Sequence, residues 1–570
     1  MKKIIFKYVL LIVVTFAASI FIYEYIQKST AVDTEYDILS YQKDLENQHL
    51  ANTNYTLDNP NVLLNFYGNS PLTALVVFET KDLTSVTLTV KGKDGAADIT
   101  HTFVPNKVHI LPIYGLYPDY DNKVVITASG TSKEITIKTD ALPDDFTKAT
   151  YVSDMELEDG EFYFTTPEDK GYTAAYDENG EVRWYLTGDY KWDIQRLNNG
   201  HIIIGSDKLV SQPYYSIGLV EMDLLGKIYY EYNIPGGYHH NMIEFDNGNL
   251  LIASNNDNDT REDYIVEIDR ATGNIAKEID LNKILGGNHE GNWFGITSLA
   301  YDAPTNSLTI SGCHNDMIIN IDYASTEINW IISKHDLGKL NKYKLDGDSL
   351  PDSPETVTLI NSDEFVVTSL DGDKRVLFTY KLDRVNKTFE VTNKITLDDN
   401  ENAYIDKTDD GYLITQGNNI LRVNDSSAER LLSINSTLYN TKLMPLYAND
   451  IYTGVQGTRL GVLGKTPTTS NHLLIWAKED ESIIDKYNLN FYKDVYGLRF
   501  AGTFSKDDDV QLILDNVLSK KTYDIQIPDS DDEEIVTSKY VNEDEIKGKY
   551  YIFIRINGTI YKLNKYVVFY

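Results

Sequence analysis

The sequence predicts an all-β protein: a six-bladed β-propeller preceded by a small β-sandwich domain and an N-terminal transmembrane helix. Three observations carry that expectation. The chain holds 42 Tyr and 19 Phe in 570 residues, with many Ile, Val and Thr, and such side chains suit a half-buried pleated surface. A turn-and-strand unit recurs beyond residue 146. A single apolar run stands at the N-terminus.

In that run, Lys2, Lys3 and Lys7 precede an uncharged stretch from Tyr8 to Tyr23. With Ile4, Ile5 and Phe6 it approaches the roughly 20 residues a spanning helix requires. Lysines before it and Glu24 after it predict N-inside, C-outside. Residues 1–26 therefore read as a signal anchor, with the bulk of the chain on the extracytoplasmic side of the cell membrane. The alternative is a cleaved signal peptide with Ala17-Ala18-Ser19 as its site. The apolar Ile20, Phe21 and Ile22 that follow favour the anchor. The single Cys313 forms no internal disulfide and says nothing about compartment.

Residues 27–59 are polar, and TEYDILSYQKDLENQH suits a short helix or a stalk. From 60 to 145 short alternating segments such as ALVVFET, SVTLTVKG and NKVVITASG lie between Gly, Asp, Asn and Pro turns, the pattern of a small β-sandwich. Residues 146–500 hold six copies of the unit, among them NGHIIIGSDKLVSQPYYSIGLVEMDLLGKIYYEYNI and NSLTISGCHNDMIINIDYASTEINWII. The turn residues Gly200, Gly248, Asn306, Asp363 and Gly411 are 48 to 58 residues apart, close to the spacing of four-stranded propeller blades. A β-helix would repeat faster, and paired sandwiches would show no repeated turn. Residues 501–570 add strands around the acidic PDSDDEEIV and read as an extension closing or covering the propeller.

The formal charge of −34 repels polyanions and excludes nucleic acid as a partner. A propeller brings equivalent loops to one mouth, which singles out four of the ten histidines. His239 and His240 lie in GGYHHNMIEFDNGNLLI, His289 in GGNHEGNWFG and His314 in SGCHND. No pair has HxxxH spacing, no GxSxG occurs and no glycine-rich nucleotide loop is present, so neither a metal nor a cofactor is expected. The Asp/Asn-rich NNDNDTRED lacks the glycine and terminal Glu of a calcium loop and reads as solvated surface.

The strings YGNSPLTALVVFET and HTFVPNKVHILPIYGLYPD, with HHNMIEFDNGNLLIAS and ITSLAYDAPTNSLTISGCHND, resemble the bacterial aryl-sulfate sulfotransferase family from about Tyr55 to about Phe500. The resemblance implies a six-bladed propeller. It also implies sulfuryl transfer from a phenolic sulfate ester to a phenol through a sulfated histidine, without a nucleotide donor. An aryl sulfate or phenol would be the small-molecule partner. Carried over residue by residue, the first site histidine falls on the pair His239-His240, with His240 the better match. The family's His-x-Asn falls on Gly295 and Thr297. Its arginine before a histidine falls on Cys313, with His314 kept, and its nucleophilic histidine falls on Glu355.

Two readings follow. In an enzyme, His240 and His314 would be donors or acid/base groups, and His289 or Glu355 would act in an altered role. His239 and Thr297 would contact substrate, Tyr238, Trp293 and Phe294 would wall an aromatic ring, and Lys374 or Arg375 would supply charge. In a binding module the same mouth would hold a small molecule or a protein partner without turnover.

Overall fold

The computed structural model describes residues 38–569 except 52–53, 154–156, 158–159, 169–170, 208, 212–214, 256–259, 271–272, 288, 336, 341–342, 346–349, 398, 409–410, 425–426, 449–457, 461–462, 466–476, 481, 495–496, 517–518, 528–534, 543–545 and 547. The expected anchor lies outside the described residues. Among those described, no helix is long and apolar enough to cross a membrane.

The protein is all-β, and its chain divides into two compact units. One comprises Ile38–Glu267 and Lys277–Thr458; the other comprises Arg459–Tyr570 with the short segment Ile268–Ala276. In the first, helix Ile38–His49 is docked and does not stand free. Gln42 donates to the Ile228 carbonyl at 3.0 Å and accepts from its N–H at 2.7 Å, so one amide satisfies both backbone groups of a strand residue. One turn on, Glu46 pairs with the buried Lys227 at 2.6 Å.

Next comes a five-stranded sheet built on the long strand Ala74–Val90, which pairs with Asn61–Leu64, Ile99–Ile113 and Asp121–Ala128; Thr131–Lys138 completes it. Val86, Leu88 and Val90 point into the core. Thr87 and Thr89 face outward and meet Thr102 and Thr100 across the ladder, which is the alternation the sequence shows.

Residues 149–445 form the repeating sheets. Ile296–Asp302, Ser307–Gly312, Met317–Asp322 and Ile328–Ser333 form one in strict order. Ile296, Leu308, Ile310 and Ile319 are fully buried there, each contributing about 1.5–3 kcal/mol. Val357–Asn361, Glu364–Asp371, Lys374–Asp383 and Thr388–Thr396 repeat the pattern, as do Ala403–Thr408, Gly411–Gln416, Asn419–Val423 and Ala428–Ile434. Lys191–Arg196, Ile202–Gly205 and Tyr215–Met222 lead into the 17-residue strand Ile228–Glu244, whose far half pairs with Leu250–Ser254.

The first copy supplies only Glu161–Pro167, Ala174–Tyr176 and Val182–Tyr185. Its fourth strand is Leu438–Pro445, from the other end of the array. The neighbouring strand Ala149–Val152 likewise joins Ala428–Ile434. Closure thus comes from residues 438–445, ahead of the tail to which the sequence pattern assigned it. The tail has its own core around Leu498, Phe500, Leu512, Ile554 and Val567.

The first strands of the sheets pack side by side in a closed series: Lys191–Arg196, Ile228–Glu244, Ile296–Asp302, Val357–Asn361, Ala403–Thr408, Leu438–Pro445 and back to Lys191–Arg196. A buried polar hub ties four of them together. The Asp193 carboxylate accepts from Gln195 at 2.5 Å, Asn241 at 3.1 Å and Asn440 at 2.6 Å. Lys442 lies 3.9 Å from Asp193 and 2.7 Å from Asp406.

Candidate functional site at the bulged ends of the inner strands

Four of these inner strands lose register, three near their beginnings and the 17-residue strand Ile228–Glu244 in its second half. The shift lies between Lys191 and Gln195, between Tyr238 and Met242, between Ile296 and Ser298, and between Leu438 and Asn440. A bulge frees residues from the ladder and re-aims their side chains. The freed residues are Trp192, His239 with His240, Thr297 and Tyr439. Glu355 comes just before a fifth inner strand, and Tyr404 lies at the start of the sixth.

The backbone is unusual at the same place. Trp192 has φ 68°, His240 φ 57° and Glu262 φ 53°. Left-handed backbone is costly for bulky residues, on the order of 1–3 kcal/mol each, and persists where surrounding contacts fix it. Here the contacts are specific. The indole of Trp192 lies 4.5 Å from the His240 ring and 5.2 Å from Tyr439. The Tyr439 hydroxyl donates to the His240 carbonyl at 3.0 Å, and that of Tyr238 does so at 3.4 Å.

Hydrogen bonds set the protons of the histidine pair. His239 Nε2 lies 3.0 Å from the Ser254 carbonyl, which can only accept, so Nε2 carries the hydrogen and Nδ1 is the bare nitrogen. That Nδ1 lies 2.9 Å from His240 Nδ1, which must then be the donor. The chain of donors leaves a lone pair on His240 Nε2, and no hydrogen bond among the described residues engages it. Burial, reinforced by His239, lowers the His240 pKa to about 3. His239, fully buried, is likewise shifted down by burial. Both rings are neutral at pH 7.

Glu262 completes this side. Its carboxylate accepts from Tyr215 at 2.9 Å and from Asn292 at 2.7 Å, and its N–H donates to Asn255 at 2.7 Å. Its pKa is held below the ordinary glutamate value: burial works against its charge, while the Asn292 and Tyr215 donors favour it, as would any positive charge on the neighbouring His240 or His239 ring. The sequence pattern placed this residue on solvated surface in NNDNDTRED; Glu262 and Asp263 are instead buried.

The other side has different contents. Glu355 is 4% exposed. Its N–H donates to Thr368, and its carbonyl accepts from the Thr297 hydroxyl at 2.5 Å. No hydrogen bond among the described residues reaches its carboxylate, and the Arg375 guanidinium stands 3.9 Å away. Burial raises its pKa to about 7 despite Arg375. Arg375 is itself committed, donating to the carbonyls of Ser353 at 2.9 Å and Glu401 at 3.3 Å and to Asn402 at 3.0 Å. The Cys313 thiol is pushed far above its ordinary range by burial and by Glu355. His314 lies against Gly295, where an added Cβ would come within 2.8 Å of its Nδ1.

Of the sequence-derived candidates, Tyr238, His239 and His240 share one bulge, His314 Nδ1 lies 3.2 Å from the carbonyl of Asn292, whose amide donates to Glu262, and Thr297 touches Glu355. His289 stacks flat on Trp293 at 3.7 Å, and the Trp293 indole donates to Asp263 at 2.7 Å. No described contact joins His289 or Trp293 to the histidine pair. Phe294 is fully buried in the hydrophobic core. Trp192, Tyr404, Tyr439 and Glu262 had no motif to announce them.

The scaffold is all-β, and it sets neutral imidazoles among aromatic rings at the bulges of a closed series of strands. Residues 147–369 match the arylsulfotransferase family model and residues 61–141 match the model of the arylsulfotransferase Ig-like domain. The chain belongs to the arylsulfotransferase family. It is 22% identical to the arylsulfate sulfotransferases of Lelliottia amnigena and Escherichia coli, over 48% of this chain and 63% of each relative. Among solved structures, a 6-phosphogluconolactonase-like protein of Bacteroides fragilis aligns at TM-score 0.32 with 12% identity, over 63% of this chain and 98% of that one. A periplasmic gluconolactonase of Pseudomonas aeruginosa aligns at 0.31 with 9% identity, over 64% of this chain and all of that one.

Proposed function

We propose that the repeating sheets are the six blades of a propeller and that its mouth binds an uncharged phenolic ring, with His240 Nε2 accepting the phenol hydrogen bond. The observation that carries this reading is the lone pair left on His240 Nε2 by the Ser254–His239–His240 chain. Trp192, Tyr439 and Tyr404 would wall the ring. Residues 4–23 would tether the protein, with this mouth on the extracytoplasmic side; the flanking charges support that placement.

Magnitudes favour holding a phenol over activating it. A phenol ionises near 10 and His240 takes a proton only near pH 3, so moving the proton onto the imidazole is roughly 10 kcal/mol uphill. Residues of the family site are also replaced here: Cys313 stands for the arginine and Glu355 for the nucleophilic histidine, while Arg375 spends three of its five donors on Ser353, Glu401 and Asn402.

A second reading keeps the family reaction. His240 Nε2 would attack the sulfur of an aryl sulfate, an N–S bond forming as the S–O bond to the phenolate breaks; the oxygen of an acceptor phenol would then take the sulfuryl group as the N–S bond breaks, its proton passing to the released phenolate or to water. The same lone pair supports it. Calorimetry with 4-methylphenol and release of 4-nitrophenol from its sulfate separate the two. Binding without release, abolished in His240→Ala at unchanged melting temperature, is the expected result. Release that is lost in His240→Ala would instead establish transfer.

A further inference from the structure

We propose that the ligand is an aromatic ammonium, a phenol carrying a protonated amine, with the ammonium seated between Glu355 and the Tyr404–Tyr439 ring pair. This rests on the reading of the mouth as a phenol site. Glu355 is a buried acid whose carboxylate lacks a hydrogen-bond donor among the described residues; the Arg375 guanidinium, 3.9 Å away, is beyond hydrogen-bond reach and directs three of its five donors at two carbonyls and an amide. An acid so placed is under-satisfied, and leaving a buried charged acceptor without a donor is costly. A primary ammonium brings three donors and a positive charge.

The surrounding groups suit the same guest. Tyr404 and Tyr439 lie 4.4 Å apart, and Trp192 meets Tyr439 edge to face at 5.2 Å; such ring clusters attract cations through their negative faces. Glu262 on the histidine side adds a second carboxylate, so the mouth is electrostatically suited to a cation and repels a sulfate. The groups that bear on Glu355 are Arg375 from its own sheet, Cys313 from the preceding sheet, Tyr404 and Tyr439 from the next two inner strands, and Glu168 after strand Glu161–Pro167. Of these, Arg375 opposes a cation and Glu168 favours one.

The test is calorimetric titration of the full-length protein with 4-hydroxybenzylamine, 4-methylphenol, 4-hydroxybenzoate and benzylamine. At pH 8 the amine-bearing phenol should bind about tenfold tighter than 4-methylphenol, the gain of one charged hydrogen bond, and the carboxylate should bind weaker than both. The advantage should shrink toward pH 6 as Glu355 keeps its proton, and should vanish at every pH in Glu355→Gln, read as the ratio of amine to methyl affinity within each protein. Equal affinities for amine and methyl, or an amine preference surviving in Glu355→Gln, would overturn the ammonium site and leave the phenol reading standing. Should 4-methylphenol fail to bind, that reading falls; benzylamine binding that depends on Glu355 would still uphold the ammonium site, and its absence would remove both.

Discussion

Asp193 and Glu355 are both buried carboxyls on the same closed series of strands, and burial raises the proton affinity of each. Their surroundings differ. Asp193 receives three side-chain amides and has Lys442 nearby; Glu355 has a single guanidinium at 3.9 Å and no donor among the described residues. A saturated network fixes a scaffold, whereas a buried acid without a hydrogen-bond donor is free to receive one from a guest. The lesson is that burial alone does not separate structural charge from functional charge; the count of donors does.

The largest expected effect breaks the saturated side. Lys442→Met removes the cation shared by Asp193 and Asp406 and should cost about 3–5 kcal/mol, read as a lower denaturant midpoint at unchanged slope. Lys442 is held firmly protonated by those two acids, which outweigh its burial, so the loss should persist across neutral pH. A midpoint within experimental error of wild type would place the strength of the hub in its amides.

Glu355→Gln should act in the opposite direction. Unfolded, a glutamate releases its proton near 4.5; folded here it holds it to about 7. Between those values the folded state binds the extra proton, so wild-type stability falls as pH rises through the window. The variant lacks that loss and should be more stable at pH 8, by on the order of 3 kcal/mol, with the difference fading toward pH 4.5. Melting curves at both pH values check it. Equal pH dependence in the two proteins would mean that Glu355 is already satisfied.

The smallest effect concerns the hydrogen bond that joins Thr297 to the backbone of Glu355. Thr297→Val deletes the hydroxyl that donates to the Glu355 carbonyl and should cost about 1 kcal/mol. A double-mutant cycle with Glu355→Gln would show whether this hydrogen bond and the acid are coupled.

Much of this was legible in the sequence. Tyr, Ile and Val content and turn spacing announce strands and repeats because they act locally, through side-chain shape and backbone freedom. The pair His239-His240 stood out because it lies directly before an inner-strand signature, where the loops of a propeller converge. What escaped was non-local. Leu438–Pro445 reads as one more strand until Glu161–Pro167 is found to lack a partner. Trp192 and Tyr439 reach the mouth through bulges, which change register without altering composition. Glu262 sits in a run of Asp, Asn and Arg whose polarity suggests solvent, and its burial depends on Tyr215 and Asn292, 47 and 30 residues away.

The joining of Leu438–Pro445 to Glu161–Pro167 also orders events in time. During synthesis the edge of strand Glu161–Pro167 is made early and stays without its mate until residue 438 has emerged. Until then it is an open template for any other extended chain. A ribosome stalled before that point would yield a sticky intermediate, while one that has passed residue 445 can latch the ring shut.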